Sequence, residues 1–287
     1  MLADCRGLLG KAPQAPADRL RALLRGRRRA PGCRPGHDDV AGDPDPRSLR
    51  GLDLADGVAA VAAGTRDAAV ATGVVARLVA VALRSHPPEA NAVMARTAAE
   101  FIDQGLTGFD LAGPEAAYPH AIVHARAFDI AREAGLGITL HAGEWGGADQ
   151  VRRSLDAVSP SRIAHGATAA EDPALMAELV AREVTLDICP TSNVQADDFD
   201  TLADVPLRQL LDAGVPVTLS TDDRTVSDLT LVREYGRAID YMGLSVADLW
   251  RMNMHALRVA FLHHSESERA RLIGEFQALA RSETLLA

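Results

Sequence analysis

The stretch Ile138-Thr139-Leu140-His141-Ala142-Gly143-Glu144 joins a short apolar run to a charged cluster. The apolar half reads as a buried strand, and the polar residues begin where that strand ends. The same grammar recurs on either side. Upstream, Gly108-Phe109-Asp110-Leu111 leads into Asp110-Leu-Ala-Gly113. Downstream, Arg162-Ile163-Ala164 leads into His165-Gly166, and Val184 to Ile188 into Cys189-Pro-Thr-Ser-Asn193. Val215 to Leu219 leads into Ser220-Thr-Asp222-Asp223. With the earlier apolar run Val74 to Leu83, this makes six strand candidates.

Helical patterns fill the gaps: Leu52 to Ala71, Glu89 to Gln104, His120 to Ala134, Ala148 to Val158, Asp172 to Arg182, Leu202 to Ala213 and Ser227 to Met242. Asp172-Pro173 reads as a helix start, with proline at the first helical position. Gly135 and Gly214 read as helix ends. Strands recur about every 28 residues, the length of a βα unit in a parallel sheet. Six strands suit an open sheet or an eight-stranded barrel short of two. The polar clusters separate the two folds. Five successive strands carry them at their C-terminal ends. That is the face on which a (β/α)8 barrel gathers its active site. An open sheet concentrates its site at one switch point instead.

The 287 residues carry 47% hydrophobic and 24% charged side chains, with a net charge of −9. That acidity argues against a surface that coats nucleic acid. No apolar run reaches the roughly 18 residues of a membrane span. Met1 to Gly10 lacks a signal-peptide pattern. Cys5, Cys33 and Cys189 are odd in number and far apart, which argues against a disulfide framework and for a reducing, cytoplasmic setting. The charge is unevenly spread. Residues 1–50 hold 10 Arg and 1 Lys against 6 Asp, and 6 of the 15 prolines. They read as an irregular Arg/Pro/Gly-rich segment, and residues 51–287 as the catalytic domain.

The strand-end residues suit metal-assisted hydrolysis. Such a site needs metal ligands, a proton carrier and a group that orients water. His141 offers a ligand nitrogen. Glu144, three residues on, can turn over the pocket. His165 lies on the next strand. Asp222 and Asp223 are adjacent, so they point apart and suit two roles. Taken singly, each has a blander reading. A strand-end histidine is more often structural, and paired aspartates often cap a helix. Cys189 reads as a buried small hydrophobe rather than a nucleophile. Trp145 reads equally well as pocket lining and as rim, and His263-His264 as a solvated turn. Recurrence on successive strands favours the functional reading.

His141-Ala-Gly-Glu144, Arg162-Ile-Ala-His165-Gly166, Cys189-Pro-Thr-Ser-Asn193 and Ser220-Thr-Asp-Asp223 together resemble the adenosine deaminase family. Asp110-Leu-Ala-Gly-Pro-Glu115 is similar to the family segment one strand earlier, and Arg224-Thr-Val-Ser227 resembles a bacterial branch. The resemblance runs from about Gly51 to the C-terminus. It implies a TIM-type (β/α)8 barrel with one Zn2+ at its mouth. It also implies hydrolytic deamination of adenosine or deoxyadenosine to inosine and ammonia, in purine salvage. The implied partner is a small-molecule purine nucleoside, with no nucleic acid and no membrane. Carried over, His141 and Asp222 are zinc ligands, and Asp222 also touches the attacking water. Glu144 passes a proton to purine N1, which favours a buried carboxyl of raised pKa. His165 orients and polarises the attacking hydroxide. Asp223 bonds N7, and the Gly113 amide bonds N3. Adenine or another 6-aminopurine is the same-class alternative. Cytidine-type zinc deaminases are disfavoured, because their His-x-Glu and Pro-Cys-x-x-Cys pattern is absent.

The sequence departs from the family in one respect. The family opens with a strand carrying His-x-His and follows it with one reading Val-Glu-Val-Arg. This chain contains neither. They correspond to the two strands missing from the count of six. His141 and Asp222 then supply two of four protein ligands, whereas catalytic zinc sites keep at least three. The competing expectation is therefore a truncated or degenerate homologue with weak or no zinc binding and no turnover. Only 1 of the 30 basic residues is Lys, which suggests a GC-rich coding sequence. Residues 1 to about 49 accordingly read as the product of a frameshift or a misplaced start.

Overall fold

A computed structural model describes residues 53–262 and 265–282. The readings for residues 1–50 and for His263-His264 lie outside the described residues. The described chain is α/β. Its strands are β1 (Leu78–Leu83), β2 (Leu106–Ala112), β3 (Gly137–Ala142), β4 (Arg162–His165), β5 (Thr185–Ile188) and β6 (Val217–Leu219). They form one six-stranded sheet in sequence order, every neighbouring pair parallel. This is the expected incomplete barrel wall.

Helices join the strands: α1 (Leu54–Thr72), α2 (Pro88–Glu100), α3 (Ala125–Glu133), α4 (Gly147–Val158), α5 (Pro173–Ala181), α6 (Pro190–Gln195), α7 (Leu207–Asp212), α8 (Leu231–Met242), α9 (Val246–Val259) and α10 (Glu266–Ser282). Several boundaries follow local chemistry. Asp172 caps α5 by accepting from the Ala174 and Leu175 amides, with Pro173 at the first helical position. Gly135 and Gly214 take positive φ, as helix stops should.

Other boundaries differ from the sequence reading. Val74 to Arg77 stays outside β1. The span from Leu202 to Ala213 splits into a 3-10 turn at Leu202–Asp204 and α7, with Pro206 between them. Helix α8 begins at Leu231 rather than Ser227, because extended Thr230 caps it. Pro190 opens a short helix inside the Cys189 cluster, which the sequence reading left as a strand end. The span of α9 was also not read, although Ser245 and Asp248 form a capping box at its start.

Alternation along the strands sorts the side chains. Phe109, Leu111, Leu140, Ile163, Leu186 and Ile188 are fully buried and join the helix-side core. The register aligns the opposite set: Thr139 with Arg162, Arg162 with Thr185, His141 with Ala164, Ala164 with Asp187, and Asp187 with Thr218. This inner face is largely polar. Arg162 Nε donates to Asp187 Oδ2 at 2.9 Å, and Thr218 Oγ1 donates to the other oxygen. The Phe261 ring closes the lower end, 4.8 Å from the Arg162 guanidinium carbon. The Phe261 carbonyl accepts from Thr107 Oγ1 at 2.6 Å.

On β1 the inner positions Val81 and Leu83 are 42% and 38% exposed. Among the described residues, β1 and β6 each pair on one side. An incomplete wall exposes apolar residues there.

The Phe261 plug explains two strand glycines. A Cβ at Gly137 would sit 2.3 Å from a Phe261 ring carbon, and one at Gly108 would sit 2.8 Å away. Gly137→Ala is therefore expected to destabilise the protein by about 1–3 kcal/mol through overpacking. A lowered urea midpoint at unchanged m-value checks this, and Phe261→Leu in the same chain should recover part of the loss.

Candidate active site

The C-terminal ends of β2 to β6 converge. His141 leaves β3 with Nδ1 2.8 Å from Asp110 Oδ2 of β2. The His141 and His165 rings lie 5.3 Å apart. His165 Nε2 is 3.6 Å from Glu144 Oε2 and 3.8 Å from Asp222 Oδ2. His141, Glu144, His165 and Asp222 thus meet, as the sequence implied.

Asp223 and Gly113 stand differently. Asp223 is exposed, and its Oδ1 accepts from the Thr225 and Val226 amides. Those bonds match the capping role that adjacent aspartates often play. Gly113 turns the chain after β2 at φ 115, over the Arg84 backbone.

Backbone geometry aims these groups. Strand alternation alone would send His165 to the helix side, since it pairs with Ala142 and the inner positions are His141 and Ala164. Instead His165 adopts φ 66 and Gly166 follows at φ 75, which turns the end of β4. Asp222 takes φ 56. Non-glycine residues rarely occupy this region, and such strain concentrates at functional sites. Gly143, at φ 74, lets Glu144 double back after β3. A Cβ there would meet Val151 and Thr168 below 3.0 Å.

Buried polar groups hold the rim. Glu115, 1% exposed, accepts from the Gly143 amide at 3.0 Å and the Glu144 amide at 3.3 Å. Arg84, also buried, donates to the His141 carbonyl at 2.8 Å and the Tyr118 carbonyl at 3.3 Å. Ser192 Oγ donates to Asp222 Oδ2 at 2.7 Å. Behind it, fully buried Glu234 of α8 accepts from the Thr191 amide and hydroxyl at 2.8 and 2.5 Å. Trp145 sits on the rim, half exposed, its indole N–H donating to the Ala196 carbonyl.

The environment separates the titrating groups. Burial pushes Glu144 up to about 7; His141 opposes this, while Asp222, Asp198 and Glu115 add to it. Its carboxyl is thus partly protonated near neutrality. Burial pushes His165 down to about 4; neighbouring His141 adds to this, and Asp222 and Asn193 oppose it. His141 goes the other way. Burial resists its charge, but Asp110, Glu144 and Asp222 outweigh burial and raise its pKa. Asp110 is correspondingly lowered, as His141 overcomes desolvation.

The donor atoms suit a cation. His165, Cys189 and Asp222 offer ligand atoms within 4.8 Å of one another. Neither His165 ring nitrogen makes a normal hydrogen bond, although the side chain is buried. Imidazole, thiol and carboxylate form a zinc-type donor set. The sequence reading assigned no role to Asp110, Glu115, Ser192 or Asn193, though all stand inside the quoted motifs. Arg84 and Glu234 carried no signal, because their partners are distant in sequence.

The chain is similar to known proteins along most of its length. The adenosine deaminase family profile matches residues 35–278. An adenine deaminase of Sinorhizobium fredii is 41% identical over 234 residues, covering 81% of this chain and 72% of that protein. One from Agrobacterium fabrum is 41% identical over 226 residues, covering 79% and 69%. Among solved structures, adenine deaminase from Arthrobacter aurescens superposes with a TM-score of 0.71 at 28% identity, covering 83% of this chain and 72% of that one. A zinc-bound amidohydrolase from Burkholderia ambifaria gives 0.73 at 26%, covering 82% and 65%.

Glu115→Ala is expected to leave the Gly143 and Glu144 amides without an acceptor, at about 1–3 kcal/mol for a buried donor. Chemical denaturation should show that loss, with Glu115→Gln falling between.

Proposed function

The chain belongs to the adenosine deaminase family, and from that premise we propose that it hydrolyses the C6–amino bond of free adenine, giving hypoxanthine and ammonia. The convergence of Glu144 and Asp222 on His165, at 3.6 and 3.8 Å, carries the reading. It brings a proton carrier, a neutral imidazole and a carboxylate to one point on the barrel mouth. The choice of base over nucleoside revises the first expectation, adenosine. Its support is the relatives at 41% identity that are named adenine deaminase.

The site has donors that fit zinc, including the unpartnered nitrogens of buried His165. In the proposed mechanism Asp222 and His141 would hold the metal, and Asp110, in contact with His141 Nδ1, would orient that ring. When bound, zinc lowers the pKa of water towards about 7. Glu144, kept partly neutral by burial, donates a proton to purine N1 and makes C6 more electrophilic. His165, kept neutral by burial, accepts from the attacking water and orients it. Ser192 fixes the Asp222 carboxylate, and Glu115 fixes the turn that carries Glu144. The Gly113 amide is the proposed donor to N3, and the Asp223 carboxyl, in its protonated form, the proposed donor to N7.

An ultraviolet assay with added zinc tests the reading. Adenine should turn over faster than adenosine. Glu144→Gln should lower kcat by about 10²–10⁴-fold, the usual worth of a general acid. Activity untouched by Glu144→Gln refutes the mechanism. Adenosine favoured over adenine refutes the substrate. No turnover of either supports the reading as a homologue without catalysis, to which the absent His-x-His points.

A further inference from the structure

His124 and Asn91 have no part in the proposed chemistry, yet both are buried, at 2% and 1% exposure. His124 ends the 3-10 turn Ala121–His124 that leads into α3, and Asn91 lies in the first turn of α2. They meet at the C-terminal end of β1. Asn91 Nδ2 donates to the Leu83 carbonyl at 2.8 Å and lies 3.1 Å from His124 Nδ1. His124 Nε2 lies 3.3 Å from the Arg84 carbonyl.

These contacts fix one form of the imidazole. A backbone carbonyl only accepts, so the Asn91 amide must turn its nitrogen towards Leu83. An NH2 group only donates, so Nδ1, facing its second hydrogen, must be unprotonated. The ring proton then sits on Nε2, where the Arg84 carbonyl accepts it. Burial holds the His124 pKa below its ordinary value; the Arg84 carbonyl opposes this, and the Arg84 and His86 charges add to it. A charged ring would set an N–H against the Asn91 NH2.

What His124 holds lies under the mouth. Among the described residues β1 pairs with β2 alone, so its end is secured from one side. The Arg84 amide donates to the Ala112 carbonyl at 2.8 Å, just before the Gly113 turn. A Cβ at Gly113 would lie 3.5 Å from the Arg84 nitrogen. The Arg84 side chain reaches past β2 and donates to the His141 carbonyl of β3 at 2.8 Å. Arg84 thus ties the Gly113 turn to the end of β3.

We infer that His124 is a positioning residue: as a neutral imidazole held by Asn91, it donates from Nε2 to the Arg84 carbonyl, fixes the end of β1, and through Arg84 sets the Gly113 turn and the His141 backbone. Its effect on turnover rests on the deaminase reading; its hold on Arg84 does not.

The test uses the full chain labelled with 15N. The imidazole signals that vanish in His124→Gln belong to His124, and at pH 7 they should report Nε2–H with Nδ1 bare. His124→Leu should speed exchange of the Arg84 amide at least about tenfold. It should also shift the Gly113 and His141 amide resonances and lower kcat/KM for the preferred purine by about ten- to a hundredfold. His124→Gln should restore most of this, because its amide oxygen and N–H reproduce the acceptor Nδ1 and the donor Nε2–H. A side chain that only filled space would be replaced as well by leucine as by glutamine. Asn91→Ala should release the same Arg84 amide, and it takes the place of His124→Leu if that variant does not fold. A charged or Nδ1-protonated ring at pH 7 overturns the inference. So does unchanged exchange, or an equal loss of kcat/KM in the Leu and Gln variants. If the parent chain turns over no purine, the deaminase reading fails, while the tautomer and the exchange still decide for or against the role of His124.

Discussion

Everything at the rim depends on the register of the parallel strands. A strand presents alternate residues to opposite faces, and a slip of one residue would exchange the faces throughout. Here the register aligns His141 with Ala164, Ala164 with Asp187, and Asp187 with Thr218. From β2 to β6, large apolar residues fall on the helix side and polar ones on the inner side. The partly buried Arg162–Asp187 pair bridges β4 and β5 below the rim and opposes such a slip, because a slip would leave both charges unpaired. The strands then end nearly level, and their terminal polar residues meet.

The second requirement is that the charges gathered there be satisfied. Burying a carboxylate or guanidinium without partners costs several kcal/mol. Arg84 meets this by donating to two carbonyls near Asp110 and Glu115. Glu115 meets it by accepting two backbone amides, and Glu234 by accepting an amide and a hydroxyl of Thr191. Each bond also positions a neighbour. Glu115 fixes the turn before Glu144, and Glu234 anchors the turn that presents Ser192 to Asp222. The His165 ring nitrogens, at the centre of the pocket, are among the buried atoms left without a hydrogen bond.

Much of this was legible in the chain. A strand followed by its polar residues is a local pattern, so all six strands and the cluster His141, Glu144, His165 and Asp222 could be read directly. Asp172-Pro173, Gly135 and Gly214 act as the local rules require. The less legible parts have both local and non-local causes. Pro206 splits one expected helix, and Thr230 delays another. Glu234 acts on Thr191 from 43 positions away. Asp223 shares a motif with Asp222, yet the turn that follows engages its carboxylate.

The sequence by itself determined the βα repeat, the face on which the chemistry gathers, and the absence of a His-x-His pair. These are properties of residue order, which spacing and side-chain type reveal. Only the tertiary structure decided which donors share one point. It turned His165 against its strand alternation through a positive φ, and it brought Asp222 and buried Cys189 to the same place. Backbone hand and packing across β4, β5 and β6 set that meeting, and neither is written in a single stretch of chain.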